Sequence, residues 1–542
     1  MTGEATQRLI RALALDGFTP RVRADGLTFR GSVAIRNRRV PLRLDFDGFE
    51  FAAPPTVVVE DAALVADRVL PHIDEDGTLC AVDPRLYLAD RYHAAEQARG
   101  IVRRAAEVLA LGLTVEAVKE IAAEFPRHWG GLLVPVEFGP FDGFAEPYTD
   151  AQGKVRLRRA AGPILPPETG AAVAQTDVHL SFRLGDRRPA TLGAVLAWAD
   201  QWDLTLRTKI LDGLAALGPS DPYVMIHAPN GVVGFQLMVS NRGVRQITAI
   251  TRPSAWARLL HGTFGSNLDV QRLQGLRVDE EYVFGTNSID GVAPLAGRKV
   301  VLVGCGAIGG HLAFSLAQLG AGLGSGSLAL IDSEKLADRN AARHRLGLDR
   351  VGSYKASGTK DALNQAFPRL SIQCHDRKVE QCRGEVLGAD VVIDATGEQG
   401  VSEMLNAWML EQRRAGIDGP ALLHTWIEGN GAAAQSFYST DPDFGCYRCL
   451  HPDHLKAPRF PVLRAEVVPI TATGCGEAVF SPYGPAAPLA AAALAAHHVA
   501  DWARGAARPL LRTLRLSYAE TQERKPTNPT RSADCPACAP RP

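Results

Sequence analysis

The chemistry that this sequence could perform is concentrated in its nine cysteines. Four of them form two Cys-x-x-Cys pairs, Cys446 with Cys449 and Cys535 with Cys538. This spacing lets two thiolates hold one ion, and the two pairs together predict a tetrahedral, structural Zn²⁺ site. Because the pairs are too far apart for a local zinc ribbon, two unrelated thiol turns remain the alternative.

Two other cysteines are candidate nucleophiles. Cys475 lies between two glycines in the sequence TGCGE, which predicts an exposed and mobile loop of the kind that a travelling nucleophile needs. Cys80 ends the segment LPHIDEDGTLC, which begins at Leu70. A purely structural cysteine is the alternative at either position. Three further cysteines lack such surroundings and are interpreted as structural: Cys305, Cys374 and Cys382.

A glycine-rich loop predicts a nucleotide site. Gly304, Gly306 and Gly309 follow the apolar strand Lys299–Val303 and open a helix, so backbone N–H groups can approach a phosphate. Asp332 ends the next predicted strand, where an acidic side chain can hold ribose hydroxyls. Alone, these features indicate a nucleotide site of unknown chemistry.

Polar residues after the second strand narrow this interpretation. The sequence from Asp332 to His344 reads DSEKLADRNAARH, and Lys355 and the run IDATG at 393–397 follow it. Over roughly residues 290–542 this pattern resembles the family of MoeB, ThiF and the ubiquitin-activating enzymes. The resemblance implies a homodimeric adenylation domain that binds ATP and Mg²⁺. It implies Asn340, Arg343 and Lys355 as contacts of the ATP phosphates and Asp394 as the ligand of Mg²⁺.

This charge pattern suits the implied chemistry, because a carboxylate that attacks the α-phosphate builds negative charge on the phosphoryl oxygens. The resemblance extends to the cysteines, since enzymes similar to MoeB and ThiF carry two Cys-x-x-Cys pairs flanking their last segment. It implies that Cys475, in the crossover segment, accepts the activated carboxylate or forms a persulfide-type link. It also implies an arginine supplied by the partner subunit, which the sequence does not locate.

The segment 70–80 resembles the active-site loop of ubiquitin-conjugating enzymes, and the resemblance covers roughly residues 1–130. It implies that Cys80 carries a thioester. His72 stands where that family has an asparagine, and its imidazole could donate the same hydrogen bond to an oxyanion or act as a base. Four acidic residues near Cys80 either favour an incoming lysine ammonium or only solvate the loop: Asp74, Glu75, Asp76 and Asp83.

The elements that must position these residues suggest three domains. Residues 1–130 predict an α+β domain, 131–285 an α+β linker domain of unknown function, and 286–542 an α/β domain with a doubly wound, Rossmann-type parallel sheet. Predicted helices span 4–16, 94–111 and a region near 192–217, and 486–500 is expected to be a packed helix. The strands predicted before residue 286 are 27–35, 40–46, 56–59, 178–182, 223–226, 232–239 and 246–250; those predicted after it are 299–303, 328–332 and 391–394.

Composition excludes several classes of partner. Lys+Arg and Asp+Glu number 59 each in 542 residues, so net charge indicates neither nucleic acid nor an anionic membrane. We expect no signal peptide and no transmembrane helix. Paired and isolated thiols without a disulfide pattern indicate a reducing cytoplasm.

The two resemblances on one chain predict a relay in which an adenylate becomes a thioester on Cys475, then a thioester on Cys80, and is passed to an amine. The layout resembles bacterial E2–E1 fusions such as the CD-NTase-associated proteins of type 2 in CBASS anti-phage operons. This implies a protein substrate with a free C-terminus, either a cGAS/DncV-like nucleotidyltransferase or a ubiquitin-like modifier. Two alternatives stay open: a sulfur-carrier adenylyltransferase with an N-terminal docking domain, and a nucleotide-binding scaffold.

Overall fold

A computed structural model describes residues 3–65, 68–83, 86–112, 114, 116–160, 170–239, 253–470 and 482–539. The chain divides into two compact units, Met1–Asp279 and Glu280–Pro542.

The first unit begins with a five-stranded antiparallel meander in the order β1-β2-β3-β4-β5, so that consecutive strands pair. On α1 the buried residues Leu9 and Leu13 are four positions apart and so share one face of the helix, which packs on this sheet. The predicted helices 4–16 and 94–111 and the three predicted strands are confirmed. The elements are β1 (Thr19–Val22), β2 (Gly26–Ile35), β3 (Arg38–Asp47), β4 (Thr56–Val59) and β5 (Thr78–Leu79), with α1 (Glu4–Leu15), α2 (Ala62–Val65) and α3 (Ala94–Leu111).

The rest of the first unit is a closed barrel in the order β10-β11-β12-β6-β8-β7-β9, completed by parallel pairing of β9 with β10. Its strands are β6 (Leu132–Val136), β7 (Gly143–Thr149), β8 (Val155–Arg159), β9 (Ala171–Gln175), β10 (Tyr223–Ala228), β11 (Gly231–Met238) and β12 (Asp269–Arg277). Its helices are α4 (Ala117–Ala123), α5 (Phe125–Trp129), α6 (Leu192–Ala199), α7 (Leu204–Leu217), α8 (Pro253–Leu260) and α9 (Thr263–Ser266). The single helix predicted near 192–217 is therefore two.

The predicted strand 178–182 is wrong. Leu180 and Phe182 are buried as a strand residue would be, but the backbone of this segment pairs with a side chain. Asn230 accepts a hydrogen bond from the Leu180 N–H at 3.1 Å and donates to the Leu180 carbonyl at 2.7 Å. The side-chain amide of Asn230 thus takes the place of a partner strand. A pattern of alternating apolar residues does not reveal such a contact. The predicted strand 246–250 lies outside the described residues.

The second unit has a seven-stranded sheet in the order β15-β14-β13-β16-β17-β18-β19. The first five strands are parallel and the last two pairings are antiparallel. The strands are β13 (Lys299–Val303), β14 (Ser327–Ile331), β15 (Ile372–His375), β16 (Val391–Asp394), β17 (Ala421–Glu428), β18 (Ala433–Tyr438) and β19 (Leu511–Arg515). The helices are α10 (Glu280–Gly285), α11 (Ala307–Gln318), α12 (Asp338–Ala341), α13 (Lys355–Ala366), α14 (Arg383–Leu387), α15 (Gln399–Arg414) and α16 (Ala486–Ala503).

Helices cover both faces of this sheet, as predicted for a doubly wound fold. Val300 and Leu302 of β13 pack into the core that α11 and α16 share, whereas Val301 and Val303 pack into the core beneath α15. A strand buried on both faces explains the uninterrupted apolar run in the sequence. The Ala-rich segment that begins at Ala486 is a packed helix, as predicted. Among the described residues, no helix has the combination of length and apolarity that crossing a membrane requires.

Candidate functional site

The loop between β13 and α11 turns where only glycine fits. Gly304 has φ +88°, and a Cβ at this position would lie 2.9 Å from the Thr396 amide nitrogen. A Cβ at Gly309 would lie 1.8 Å from the Gly304 carbonyl oxygen. β13 and α11 can therefore approach each other closely, and the N-terminus of α11 lies at the carboxyl end of the strand. Its N–H groups can bind phosphate there.

Gly309→Ala is expected to displace the Gly304 carbonyl and weaken ATP binding by about tenfold or more, since such over-packing typically costs about 1–3 kcal/mol. Titration calorimetry with ATP measures the loss. Gly400→Ala is the matched control, because a Cβ there meets nothing within 4 Å. Equal affinities of the Gly309 variant and the wild type would contradict this interpretation of the loop.

A cavity of about 870 Å³ lies beside this loop. Its wall includes four of the residues predicted to bind the cofactor: Gly304, Gly306, Asp332 and Lys355. The other four, Gly309, Asn340, Arg343 and Asp394, do not line it. Farther along, the wall is formed by side chains that the sequence analysis did not single out, among them His424, Trp426, Glu428, Phe460 and Val462.

Lys355 is buried and Asp332 is half-buried, and both line the cavity. Asp332 accepts hydrogen bonds from the N–H groups of Cys305 at 2.7 Å and Glu334 at 2.8 Å, so it also supports the glycine loop. Burial raises the pKa of Asp332, and these hydrogen bonds only partly offset that effect. The Lys355 ammonium is paired with the more exposed carboxylate of Glu334. This pairing holds the Lys355 ammonium group beside the glycine loop.

Tyr483 separates Arg343 from the cavity, and Asn340 contacts Arg343. Asn340 is in α12, and its side-chain oxygen accepts a hydrogen bond from Arg343 at 3.5 Å. The Arg343 guanidinium stacks on Tyr483 at 4.6 Å from the ring centre, and Tyr483 lines the cavity. A movement of Tyr483 would therefore bring Arg343 to the wall.

Asp394 is fully engaged within the protein. One carboxylate oxygen accepts hydrogen bonds from the Thr396 N–H at 3.1 Å and hydroxyl at 2.6 Å. The other accepts from the Ser402 hydroxyl and lies 2.9 Å from His424 Nδ1. Burial opposes ionisation of Asp394, but these hydrogen bonds outweigh it and lower the pKa. The carboxylate can hold Mg²⁺ only if one of these donors turns away.

The four paired cysteines converge. Their sulfurs all lie within 4.8 Å of one another, with Sγ–Sγ distances of 3.9 Å (Cys446–Cys449), 3.8 Å (Cys446–Cys535) and 3.3 Å (Cys449–Cys538). A tetrahedral ion with Zn–S bonds of 2.3 Å requires about 3.8 Å between sulfurs, so the donor set fits Zn²⁺. The Ser532 N–H donates to Cys449 Sγ at 3.4 Å, which favours a thiolate there. The site lies at the end of α15, away from the glycine loop, as a structural role requires.

Cys475 lies outside the described residues. The two residues that border its segment, Ile470 and Pro482, are both held by Asn430. The Asn430 amide donates to the Ile470 carbonyl at 2.8 Å and the Pro482 carbonyl at 2.9 Å, and its oxygen accepts from the Ile470 N–H at 2.6 Å. Asn430 was missed from the sequence, although its Gly-Asn-Gly setting signals a turn.

In the first unit, Cys80 is half-buried at the end of a tightly folded loop. The Cys80 N–H donates to the His72 carbonyl at 2.8 Å, and the Asp74 N–H donates to the Thr78 carbonyl at 2.9 Å. His72 has φ +60°, which is uncommon for a residue other than glycine. The backbone of His72 therefore fixes where Cys80 begins.

The ring of His72 faces two glutamates. Its Nδ1 lies 3.4 Å from Glu124 Oε2, and its Nε2 lies 3.6 Å from Glu120 Oε2. Glu120 is in α4 and Glu124 directly follows α4, so their spacing of four places both on one helix face. The sequence analysis missed them because the motif around Cys80 ends long before α4. Both ring nitrogens of His72 face carboxylates, so the ring must rotate before it can donate a hydrogen bond to an oxyanion.

Asp74 and Glu75, two of the four acidic residues near Cys80, are paired with arginines. Asp74 makes two hydrogen bonds of 2.7 Å with Arg127. Glu75 is paired with Arg188 and Arg272. These arginines are distant in sequence, so a local pattern could not reveal that the charges are neutralised.

His128 lies buried beside this cluster, and neither ring nitrogen has a hydrogen-bond partner in the described part of the chain. Burial, assisted by the charge of Arg188, lowers the pKa of His128 to about 4. Because the unfolded chain protonates near 6.5, it binds more protons than the folded chain between about pH 6.5 and 4. Folding stability is therefore lost as the pH falls through this window.

We expect His128→Phe to reduce this acid destabilisation, by up to about 3 kcal/mol at the lower end of the window. Urea unfolding at about pH 7 and about pH 5 measures the free energy of unfolding for variant and wild type. His179→Phe is the control, since His179 is exposed. An unchanged pH dependence in the His128 variant would show that His128 is not buried in its neutral form.

Comparison with known proteins agrees with this geometry. Residues 280–537 match the ThiF family. The ATP-dependent ubiquitin transferase-like protein Cap2 of Pseudomonas aeruginosa (strain BWHPSA011 / Pa011) is 26% identical over 492 residues, which cover 86% of each chain. The protein of the same name from Vibrio cholerae serotype O1 is 31% identical over 293 residues, 52% of this chain and 48% of that protein.

A third relative matches a shorter part of the chain. The molybdopterin-synthase adenylyltransferase of Escherichia coli (strain K12) is 28% identical over 178 residues, 32% of this chain and 67% of that protein. The resemblance predicted from the sequence is thus confirmed: residues 280–537 match the ThiF family, and 86% of the chain is similar, at 26% identity, to an ATP-dependent ubiquitin transferase-like protein.

Proposed function

We propose that this chain uses ATP to activate the C-terminal carboxylate of a protein and transfers it through Cys475 and Cys80 to an amine. The observation that carries the proposal is the presence, on one chain, of a cavity beside a glycine loop in a ThiF-family domain and of a cysteine loop in a separate unit. In this proposal residues 286–542 adenylate, residues 1–130 conjugate, and residues 131–285 link the two.

The proposed sequence has four steps. A carboxylate oxygen attacks the α-phosphorus of ATP, and pyrophosphate leaves. The Cys475 thiolate attacks the acyl carbon, a thioester forms, and AMP leaves. The Cys80 thiolate then takes the acyl group and releases Cys475. Finally an amine attacks the Cys80 thioester, an amide forms, the amine gives up a proton, and the Cys80 thiolate is released.

Residues at the cavity have distinct tasks in the first step. The N–H groups at the start of α11 and the Lys355 ammonium stabilise charge that develops on the phosphoryl oxygens. Asp332 orients the ribose while it supports the loop. Asp394 is the residue that would hold Mg²⁺, which would add further positive charge at the phosphates. The four clustered cysteines would hold Zn²⁺ as a structural ion.

The substrate of the proposal is a protein with a free C-terminus, and the wall beyond the glycine loop supports this. Trp426, Phe460 and Val462 line the same cavity as the glycine loop, and they provide apolar surface for an extended peptide tail. A cGAS/DncV-like nucleotidyltransferase or a ubiquitin-like modifier would supply that tail, in the cytoplasm and in anti-phage defence. We also propose that the adenylation domain acts as a homodimer.

Lys355→Ala tests the first step. We expect it to slow ATP–pyrophosphate exchange by about 10²–10³-fold, because one stabilising charge is lost. The assay uses a purified cGAS/DncV-like nucleotidyltransferase or ubiquitin-like modifier as the partner protein. Lys360→Ala is the matched control, since Lys360 lies in the same helix, α13, and does not line the cavity. If both variants exchange at the wild-type rate, the cavity is not the site of activation.

A sulfur-carrier adenylyltransferase is the second candidate, and the similarity to the molybdopterin-synthase adenylyltransferase favours it. It predicts the same pyrophosphate exchange but no need for Cys80. Mass spectrometry of the partner's C-terminus after incubation with ATP and sulfide distinguishes the two. In this candidate sulfide displaces AMP from the acyl adenylate and leaves a thiocarboxylate, whereas the first yields an amide with a target amine.

A further inference from the structure

The Cys80 loop, residues 70–80, is held by three arginines that lie outside the five-stranded sheet. Arg127 belongs to α5, Arg188 precedes α6, and Arg272 belongs to barrel strand β12. Together they neutralise Asp74 and Glu75, the two carboxylates at the tip of the loop. Two of the three arginines, Arg188 and Arg272, therefore lie in residues 131–285, for which the sequence predicts a linker domain of unknown function.

Arg188 and Arg272 each join Glu75 to the backbone of α5. The Arg188 side chain is only 6% exposed; its Nε donates to the His128 carbonyl at 2.8 Å and lies 3.4 Å from Glu75 Oε1. Arg272 donates from Nε to the Trp129 carbonyl at 2.9 Å and pairs with Glu75 through Nη2. Buried guanidinium groups with several fixed acceptors hold a carboxylate in one geometry.

Helix α5 completes the connection. On one side, Phe125 and Trp129 are buried in the same core as Trp198 of α6, with ring centres at 5.7 and 4.7 Å from that tryptophan. The Trp129 indole donates to the Gly234 carbonyl of β11 at 2.8 Å. On another side, Arg127 holds Asp74. The barrel core, α5 and the Cys80 loop thus form a continuous set of contacts.

We propose that the barrel positions Cys80 for acyl transfer, with Arg188 and Arg272 acting through Glu75 as positioning residues. This proposal rests on the proposed role of Cys80 in conjugation. A reacting sulfur that is misplaced by about 1 Å can lose about 10²-fold in rate, so a fixed loop has a direct catalytic value. The two arginines do not touch the acyl group; they determine where the loop that ends in Cys80 lies.

The test compares Glu75→Gln and Arg272→Gln with Arg207→Gln. Arg207 of α7 pairs with Asp200, which lies outside the Cys80 loop, so it controls for loss of an ion pair. Two quantities are measured in the full-length chain: the rate of acyl transfer from Cys80 to lysine, and the rate at which iodoacetamide alkylates Cys80. The alkylation assay needs neither ATP nor a partner, so it reports on the loop even if the proposed function fails.

We expect both loop variants to lower the kcat of transfer by about tenfold or more, with little change in the KM for lysine or in pyrophosphate exchange. We expect them to change the alkylation rate at least about threefold. Arg272→Lys, which keeps the charge, should bring both the kcat of transfer and the alkylation rate part of the way back to the wild-type values. Transfer and alkylation within about twofold of wild type, or equal losses in Arg207→Gln, would overturn the proposal. If the wild type alkylates as expected but forms no adduct, the proposed function fails instead.

Discussion

Cys80→Ala is expected to abolish transfer to an amine while ATP-dependent adduct formation elsewhere on the chain continues. Alanine cannot form the second thioester, so amine transfer should fall by about 10³-fold or more, as expected for loss of a nucleophile. The partner protein, ATP and this chain are incubated together, and adducts are separated with and without a thiol reductant. A thiol-sensitive adduct should persist in the variant, and the thiol-resistant amide should disappear.

Cys374→Ala is the control for this experiment, because Cys374 is half-buried in β15 and far from any predicted loop nucleophile in sequence. It should behave as the wild type does. If Cys80→Ala still produces the amide, the conjugating role of Cys80 is wrong and the sulfur-carrier interpretation gains support.

Removal of the metal from the cysteine cluster is expected to destabilise the second unit strongly. Structural Zn²⁺ contributes folding energy directly, and Cys449→Ser should cost about 3 kcal/mol or more, equivalent to roughly 6–12 °C in Tm for a domain of this size. Elemental analysis should find one zinc per chain in the wild type and little in the variant. Scanning calorimetry measures the Tm.

The matched control for the zinc variant is Cys374→Ser, whose thiol lies outside the four-cysteine cluster. It should retain the metal and nearly all of the stability. A wild-type protein without zinc, or a Cys449 variant with an unchanged Tm, would contradict the assignment.

Local patterns explain what could be predicted from the sequence. The strand Lys299–Val303, the glycine loop and the helix after it follow one another directly, and each is specified by residues within a short stretch. The two cysteine pairs are also local, and only their convergence depends on the fold. Such features can be predicted because residues that are close in sequence determine the local structure.

Features that depend on distant residues could not be predicted. The barrel closes through a parallel pairing of β9 with β10, which no turn between them reveals. Glu124 faces His72 from an element that follows the loop by many residues. The arginines that neutralise Glu75 lie still farther along the chain. In each case the contact is created by tertiary packing and leaves no local signature.

The alternation along β13 has a consequence for how the nucleotide loop is supported. Val301 and Leu302 are neighbours in sequence, yet each is embedded in a different core on opposite faces of the sheet. Leu302 shares its core with Leu312 of α11, whereas Val301 packs in the core beneath α15. The strand that leads into the Gly304 turn is thus held by two separate cores, one on each face of the sheet. We expect a packing defect in either core to affect the glycine loop.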